Sequence, residues 1–332
     1  MSHPTRRIPA LDTDVSALGF GCMGISWAYV AEADRDADAG VAILREALDS
    51  GITFFDTADA YAAGHNEQVV GRALAESGAS PVVATKAGLV GEVLEGKIVM
   101  SRNGRPEHIR AACDASLQRL GVEVIDLYYL HRIDPEVPLA ESWGAYAELA
   151  RAGKIRAAGL SEVSVAQAEL AQAIHPVAAI QSEFSLWARD AQGTGRTADG
   201  DDAGDLLAWT AEHDAIFVPF SPLGRGFLTG RVKADDLKPG DFRTQLGRWT
   251  GDAAAANQAI VDGVRQVADR HGVTPAAIAL AWVLAQGDHV IPIPGTTKSA
   301  NLQANLAALT VTLTREDLAE LDGLPPAVGG RY

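Results

Sequence analysis

Short apolar runs that suit strands alternate with stretches of helical periodicity from one end of this 332-residue chain to the other, and no other feature constrains its fold as much. The runs begin with Leu18 to Gly24. Next come 53–55, behind the helix stop Gly51, then 81–86, 125–131, 157–160, 178–181, 216–220 and 290–292. Between them the spacing predicts helices. Residues 40–48 carry Val41, Ile43, Leu44 and Leu48 on one side, and Asn66 is placed to cap 67–75. Pro106 suits a first helical position and Gly121 a stop, with Ile109, Cys113, Leu117 and Leu120 between them. Further helices are expected over 139–152, 165–174, 206–213 and 254–271, from Thr274-Pro275 towards Gly287, over 301–307, and from the Thr314/Asp317 capping box to Leu321. Residues 87–105 read as a glycine-rich loop, and 192–205 as a solvated surface loop rich in Gly, Asp and Thr.

Eight strand-helix units predict a (β/α)8 TIM barrel, as one domain over 1–332. Arg7, Ile8, Pro9 and Val15, Ser16, Ala17 flank Leu11 to Asp14 as a short N-terminal β-hairpin. A doubly wound sheet is the competing architecture, since Gly19-Phe20-Gly21-Cys22-Met23-Gly24 has the glycines of a dinucleotide fingerprint. The preceding hairpin and the count of eight favour the barrel. No apolar stretch is long enough to span a bilayer, and the basic N-terminus lacks the apolar segment of a signal peptide. Cys22 and Cys113 make no disulfide framework or metal motif, so free thiols in the cytoplasm and no metal are expected. A net charge of −15 opposes nucleic acid and anionic membrane as partners, and leaves room for a local basic pocket for one phosphorylated cofactor.

Three successive runs end on titratable groups: Asp56, Lys86 and His131, with Tyr61 just past the first. Strand ends at the C-terminal face of such a barrel carry the chemistry. A lysine beside a phenol is expected to stabilise phenolate and lower its pKa, while a carboxylate keeps the lysine charged. Tyr61 then protonates a carbonyl oxygen that His131 also hydrogen-bonds, and hydride comes from a cofactor. Singly, each of these residues is as easily a structural ion pair or a satisfied histidine; their convergence on consecutive strands is what points to catalysis.

Six motifs fall in order along the chain: Phe55-Asp56-Thr57-Ala58-Asp59-Ala60-Tyr61, Thr85-Lys86, Asp126 to Arg132, Gly159-Leu160-Ser161-Glu162-Val163-Ser164, Ser221-Pro222-Leu223-Gly224-Arg225-Gly226 and Ile293 to Lys298. On these the chain resembles the aldo-keto reductases over nearly its whole length, close to their pyridoxal-reductase-like branch. The resemblance implies Asp56, Tyr61, Lys86 and His131 as the catalytic set, NADPH as cofactor and a small-molecule carbonyl compound as substrate. It implies that Ser161 and Gln181 hold the nicotinamide carboxamide and that Phe220 stacks on the ring. Gly21, Cys22 and Met23 join the cofactor's neighbours, with Asn305 at the adenine and Asn301 where relatives have Gln or Arg. Ser221, Pro222, Leu223, Gly224 and Gly226 form a loop able to approach a pyrophosphate, with Arg231 and Arg243 as phosphate clamps. Gly295, Thr297 and Lys298 precede a helix whose N-terminus favours a phosphate; Lys298 there points to a 2′-phosphate, hence NADPH over NADH. Glu162 stands where many members have Asn, and Ala304 where a Glu is usual.

Trp27, Tyr29 and Trp187 follow strand ends and are candidates for an apolar substrate mouth, with packing between loops as the alternative for each. Arg102, Arg105 and His108 would favour an anionic substrate if they faced the site; a solvated charged loop is the plainer reading. Against reduction of an aldehyde or ketone stand two other functions on such a barrel. One is a cofactor-binding regulatory subunit, as in potassium-channel β-subunits. The other is a lyase forming a Schiff base at Lys86, which Asp56 opposes by keeping that amine protonated.

Overall fold

Period-two alternation within each strand decides which side chains enter the barrel and which meet the helices. The computed structural model describes residues 3–27, 36–94, 97–193, 195–232, 237 and 241–331. β1 (Thr5–Ile8) and β2 (Thr13–Ser16) pair antiparallel around a 3-10 turn at Pro9–Leu11, which is the expected hairpin. β3 (Phe20–Gly21), β4 (Phe54–Asp56), β5 (Val82–Ala87), β8 (Ile125–Leu130), β9 (Ile155–Ser161), β10 (Ala179–Glu183) and β11 (Ile216–Phe220) then form one parallel sheet in chain order. Helices α1 (Ala37–Asp49), α2 (His65–Ser77), α3 (Pro106–Leu120), α4 (Leu139–Arg151), α5 (Val165–Gln172) and α6 (Leu206–Glu212) return the chain between strands. α7 (Gly251–His271), α8 (Pro275–Leu284), α9 (Ser299–Leu306) and α10 (Arg315–Asp322) complete the shell.

The eighth run closes the ring without becoming a regular strand. Ile291 and Ile293 donate to the carbonyls of Phe217 and Pro219 at 2.9 and 3.1 Å, and Phe217 donates to His289 at 2.9 Å. On the other side, Gly19 and Gly21 donate to the carbonyls of Pro292 and Pro294 at 2.9 and 3.4 Å. Neither proline has an N–H to return towards β3, so the expected last strand is an extended seam.

Two apolar layers result. Phe54, Val82, Ala84, Leu127, Tyr129, Ala157, Ala179, Ile216, Val218, Ile291 and Ile293 fill the barrel, and Ile8, Leu11 and Val15 of the hairpin floor it. The alternate residues, among them Phe55, Tyr128, Leu130, Ile180 and Phe217, pack outward against the helices. Gly159 is needed opposite Tyr129, because a Cβ there would stand 2.5 Å from its ring.

Three local expectations change. The glycine-rich loop contains an antiparallel hairpin, β6 (Leu89–Leu94) with β7 (Lys97–Arg102), whose Val and Ile content outweighs its glycines. Asn66 does not cap α2, which starts behind Gly64 in the left-handed region. Instead it is buried, accepting from Thr57 Oγ1 at 2.6 Å and donating to Ser26 Oγ and the Cys22 carbonyl. The surface loop after β10 is tied down by bridges between Gln192 and Asp205 and between Arg196 and Asp202, and it buries Ala203.

Candidate active site

The inward side of each strand continues from core to rim in steps of two. Asp56 follows Phe54, Lys86 follows Ala84, His131 follows Tyr129, Gln181 follows Ala179 and Phe220 follows Val218. The parallel register sets Asp56 beside Ala84, Lys86 beside Tyr129 and Gln181 beside Ser161, so these ends gather at one mouth. Lys86 is 0%, Asp56 2%, His131 5% and Tyr61 8% exposed: the cup is nearly dry.

Lys86 Nζ donates to Asp56 Oδ1 at 2.5 Å and to the Thr57 carbonyl at 2.7 Å, and lies 3.5 Å from the Tyr61 hydroxyl. Gln181 Nε2 donates to Asp56 Oδ2 at 2.7 Å, so both carboxylate oxygens are occupied. The His131 ring meets the Tyr61 ring edge-on with centroids 5.8 Å apart, and Trp27 stacks on Tyr61 at 5.5 Å. Arg132 donates to the His131 carbonyl at 2.7 Å and to Ser161 Oγ at 3.2 Å, which fixes Ser161 at the rim. Sequence reading gave Arg132 no role, although its place directly after His131 was a signal.

Burial would strip Lys86 of its proton, but Asp56 and the phenol outweigh it and hold the ammonium above its ordinary range. Burial also pushes the Asp56 carboxyl up, against Lys86 and Gln181. The phenol of Tyr61 moves up, not down: burial outweighs the pull of Lys86, so Tyr61 rests protonated. Burial, with the positive charges of Lys86 and Arg132, drives His131 well below its ordinary value and leaves a neutral imidazole. Its Nδ1 is buried without a hydrogen-bond partner among the described residues.

Around this cup the backbone is strained. Among the described residues seven non-glycines have positive φ, and Ala62, Ala63, Glu162, Ser221 and Arg225 of these lie in rim loops. Each such conformation costs about 1–3 kcal/mol and is concentrated where shape serves function. Gly224 (φ 57°) and Gly226 (φ 97°) complete the turn after β11. The chemistry of the donor set suits a nicotinamide dinucleotide: a buried Ser161 hydroxyl, the remaining polar atoms of Gln181, a half-buried Phe220 and the buried, unpartnered imidazole nitrogen.

The remaining predicted residues fall in several places. Pro222 and Asn305 are buried, while Leu223, Ser221 and Asn301 are half-buried at the rim. Gly21 and Gly295 touch through their backbones, since a Cβ on Gly295 would stand 2.3 Å from the Gly21 carbonyl oxygen; such a Cβ is excluded. Cys22 turns its thiol to the Phe20 carbonyl at 3.7 Å and offers only backbone near the mouth, and Met23 is half-buried. Thr297, Lys298 and Arg231 are exposed. Arg243 is held by Asp241 at 2.6 Å and by the Arg225 carbonyl at 3.1 Å. Trp187 is buried, stacked on Phe227 at 4.3 Å beneath Gly224, and packs under the loop rather than facing the mouth. Tyr29 lies outside the described residues. Arg102 grips Asp199 at 2.5 Å and the Ile133 carbonyl at 2.9 Å, which clasps the β6–β7 hairpin to the loop after β10.

The family described as "Aldo/keto reductase family" matches residues 17–325. A protein named probable aldo-keto reductase 1, from Glycine max, is 40% identical over 323 residues, 96% of this chain and 89% of that one. A glycerol dehydrogenase from Gluconobacter oxydans superposes with a TM-score of 0.85 at 34% identity, over 97% of this chain and 95% of its own. An aldo/keto reductase from Klebsiella pneumoniae, solved with NADP and acetate, gives 0.68 at 27% identity over 96% and 95% of the two chains. No described helix is long and apolar enough to cross a membrane. Sequence, barrel and rim agree: the chain belongs to the aldo/keto reductase family of nicotinamide-dependent oxidoreductases.

Proposed function

We propose that this chain, acting as one unit over 1–332, reduces an aldehyde or ketone to the alcohol, with NADPH supplying the hydride and Tyr61 the proton. The observation that carries the reading is the buried line Asp56–Lys86–Tyr61, with contacts of 2.5 and 3.5 Å. As the substrate oxygen gains negative charge, the Tyr61 proton passes to it and the charge left on the phenolate faces the Lys86 ammonium. Asp56 keeps that ammonium protonated and aimed, and the same contact opposes Schiff-base chemistry at Lys86. The neutral His131 has one N–H to offer the substrate oxygen, and Trp27 against Tyr61 shields the exchange from water.

Ser161 and Gln181 would hold the carboxamide and Phe220 the ring face. The 221–226 turn, with Arg231 and Arg243, would take the pyrophosphate, and Asn301 and Asn305 the adenosine. Lys298 at the start of α9 favours a 2′-phosphate and so NADPH over NADH. The two free, buried thiols Cys22 and Cys113 suit a reducing cytoplasm. Tyr61→Phe tests the reading. It should leave NADPH binding unchanged in a fluorescence titration while kcat/KM on the best aldehyde of a panel falls on the order of 10²–10⁴-fold. Unchanged turnover would remove Tyr61 from the chemistry.

A further inference from the structure

Behind the rim, outside the reacting groups, runs an ion network that the mechanism above does not use. Glu162 follows Ser161 directly. Its Oε1 accepts from the Glu183 N–H at 2.9 Å and from Arg331 at 3.2 Å, and its Oε2 accepts from Arg331 at 2.8 Å. Glu183 in turn accepts from Arg225, in the turn after β11, at 3.1 Å and lies 3.8 Å from Arg331. Asp190 Oδ2 stands 3.8 Å from Arg331 Nε. Side-chain exposure is 9% for Arg331, 1% for Glu162 and 6% for both Glu183 and Arg225, so these charges sit almost out of water.

The C-terminal tail is guided to this spot. Val328 exchanges two hydrogen bonds with Asn257, at 2.8 and 3.0 Å, and Arg248 donates to the Gly329 carbonyl at 3.0 Å. Gly329 has φ 93° and runs so close to Gly247 and Arg248 that a Cβ would stand 3.0 Å from their backbone.

Two of the strained rim residues, Glu162 (φ 54°) and Arg225 (φ 57°), are the ones this network grips. Without Arg331, Glu162 would lose the guanidinium that meets both its oxygens while Glu183 kept its bond to Arg225, and the strained turn at Glu162 would lose a support. We propose that Arg331 is a positioning residue for the cofactor: it pins the turn at Glu162, directly after Ser161, and, through Glu183 and Arg225, the turn over 221–226. The proposal rests on the NADPH reading above.

The test is NADPH titration by fluorescence on the full chain, well below its melting temperature, with the melting temperature recorded for each variant. Arg331→Ala should raise the NADPH dissociation constant on the order of tenfold, because buried carboxylates lose their bidentate partner. Millimolar ethylguanidinium, refilling the vacated site, should restore part of that affinity. Arg331→Lys keeps the charge without the fork and should fall between the two. Equal affinity in Arg331→Ala and the parent overturns the proposal, as does a loss that follows only the unfolded fraction and ignores ethylguanidinium. If Arg331→Ala does not fold, Arg331→Lys decides, and parental affinity there overturns it. A parent chain that binds no NADPH overturns the cofactor reading itself, whereas binding that every variant keeps overturns only the role of Arg331.

Discussion

Asp59 shows how a single carboxyl beside the cup responds to its surroundings. It is half-buried on the turn between Asp56 and Tyr61, and its Oδ1 has no hydrogen-bond partner among the described residues. Burial, with Glu67 adding, pushes it up to about 8 against the pull of Arg119 and Lys86. A folded-state pKa above the unfolded one means that the native chain binds the extra proton. Stability from this group is therefore full below about pH 4 and is lost as pH rises towards about 8. Asp59→Asn should gain on the order of 1–3 kcal/mol over the parent near pH 8 and little near pH 4, read from urea unfolding at both values. A pH-independent difference would remove the titration argument. At this scale the sequence was legible where a titratable group coincides with a strand end, as at Asp56, Lys86 and His131, which the barrel gathers at one mouth. It was silent where partners meet only through the fold: Glu162 and Arg331 are 169 positions apart, and no periodicity links them. Tyr61 was expected near Lys86, where it lies, but the direction of its pKa was not foreseen, because the depth of burial appears only in three dimensions.

Among the elements, α9 offers the plainest test of cofactor choice. Lys298 is its exposed N-cap residue and makes no side-chain cap. Glu46 of α1 faces the same helix, accepting from Ser299 at 2.6 Å and Gln303 at 3.3 Å, so Lys298 supplies positive charge where a carboxylate already stands. Lys298→Ala should weaken NADPH on the order of tenfold and NADH hardly at all, by parallel titrations. Equal loss for both would remove the argument for a 2′-phosphate. Helix boundaries followed the sequence closely where punctuation was strong: Pro106 and Gly121 around α3, Thr274 before α8, and the Thr314/Asp317 box on α10. They failed where a polar residue had a better use, as with Asn66, and where neighbouring glycines masked the Val and Ile content of β6 and β7.

Across the whole molecule the hairpin acts as a floor. Ile8 is 0% exposed and sits under the barrel core with Leu11 and Val15. Ile8→Ala should cost about 2–5 kcal/mol in urea unfolding and leave KM for carbonyl substrates unchanged, since the mouth is at the opposite end. A shift in KM would mean that floor and mouth are coupled. The closure of the ring is uneven in one place. Between β11 and residues 289–293 amides donate in both directions, but towards β3 Pro292 and Pro294 can only accept. A hoop joined by half a ladder opens first at the join, so breathing should concentrate there while the other strands turn as one stiff arc. That weak join runs up to the close backbone contact of Gly21 with Gly295, so the most yielding part of the circumference ends where two glycines leave no room for a side chain between them.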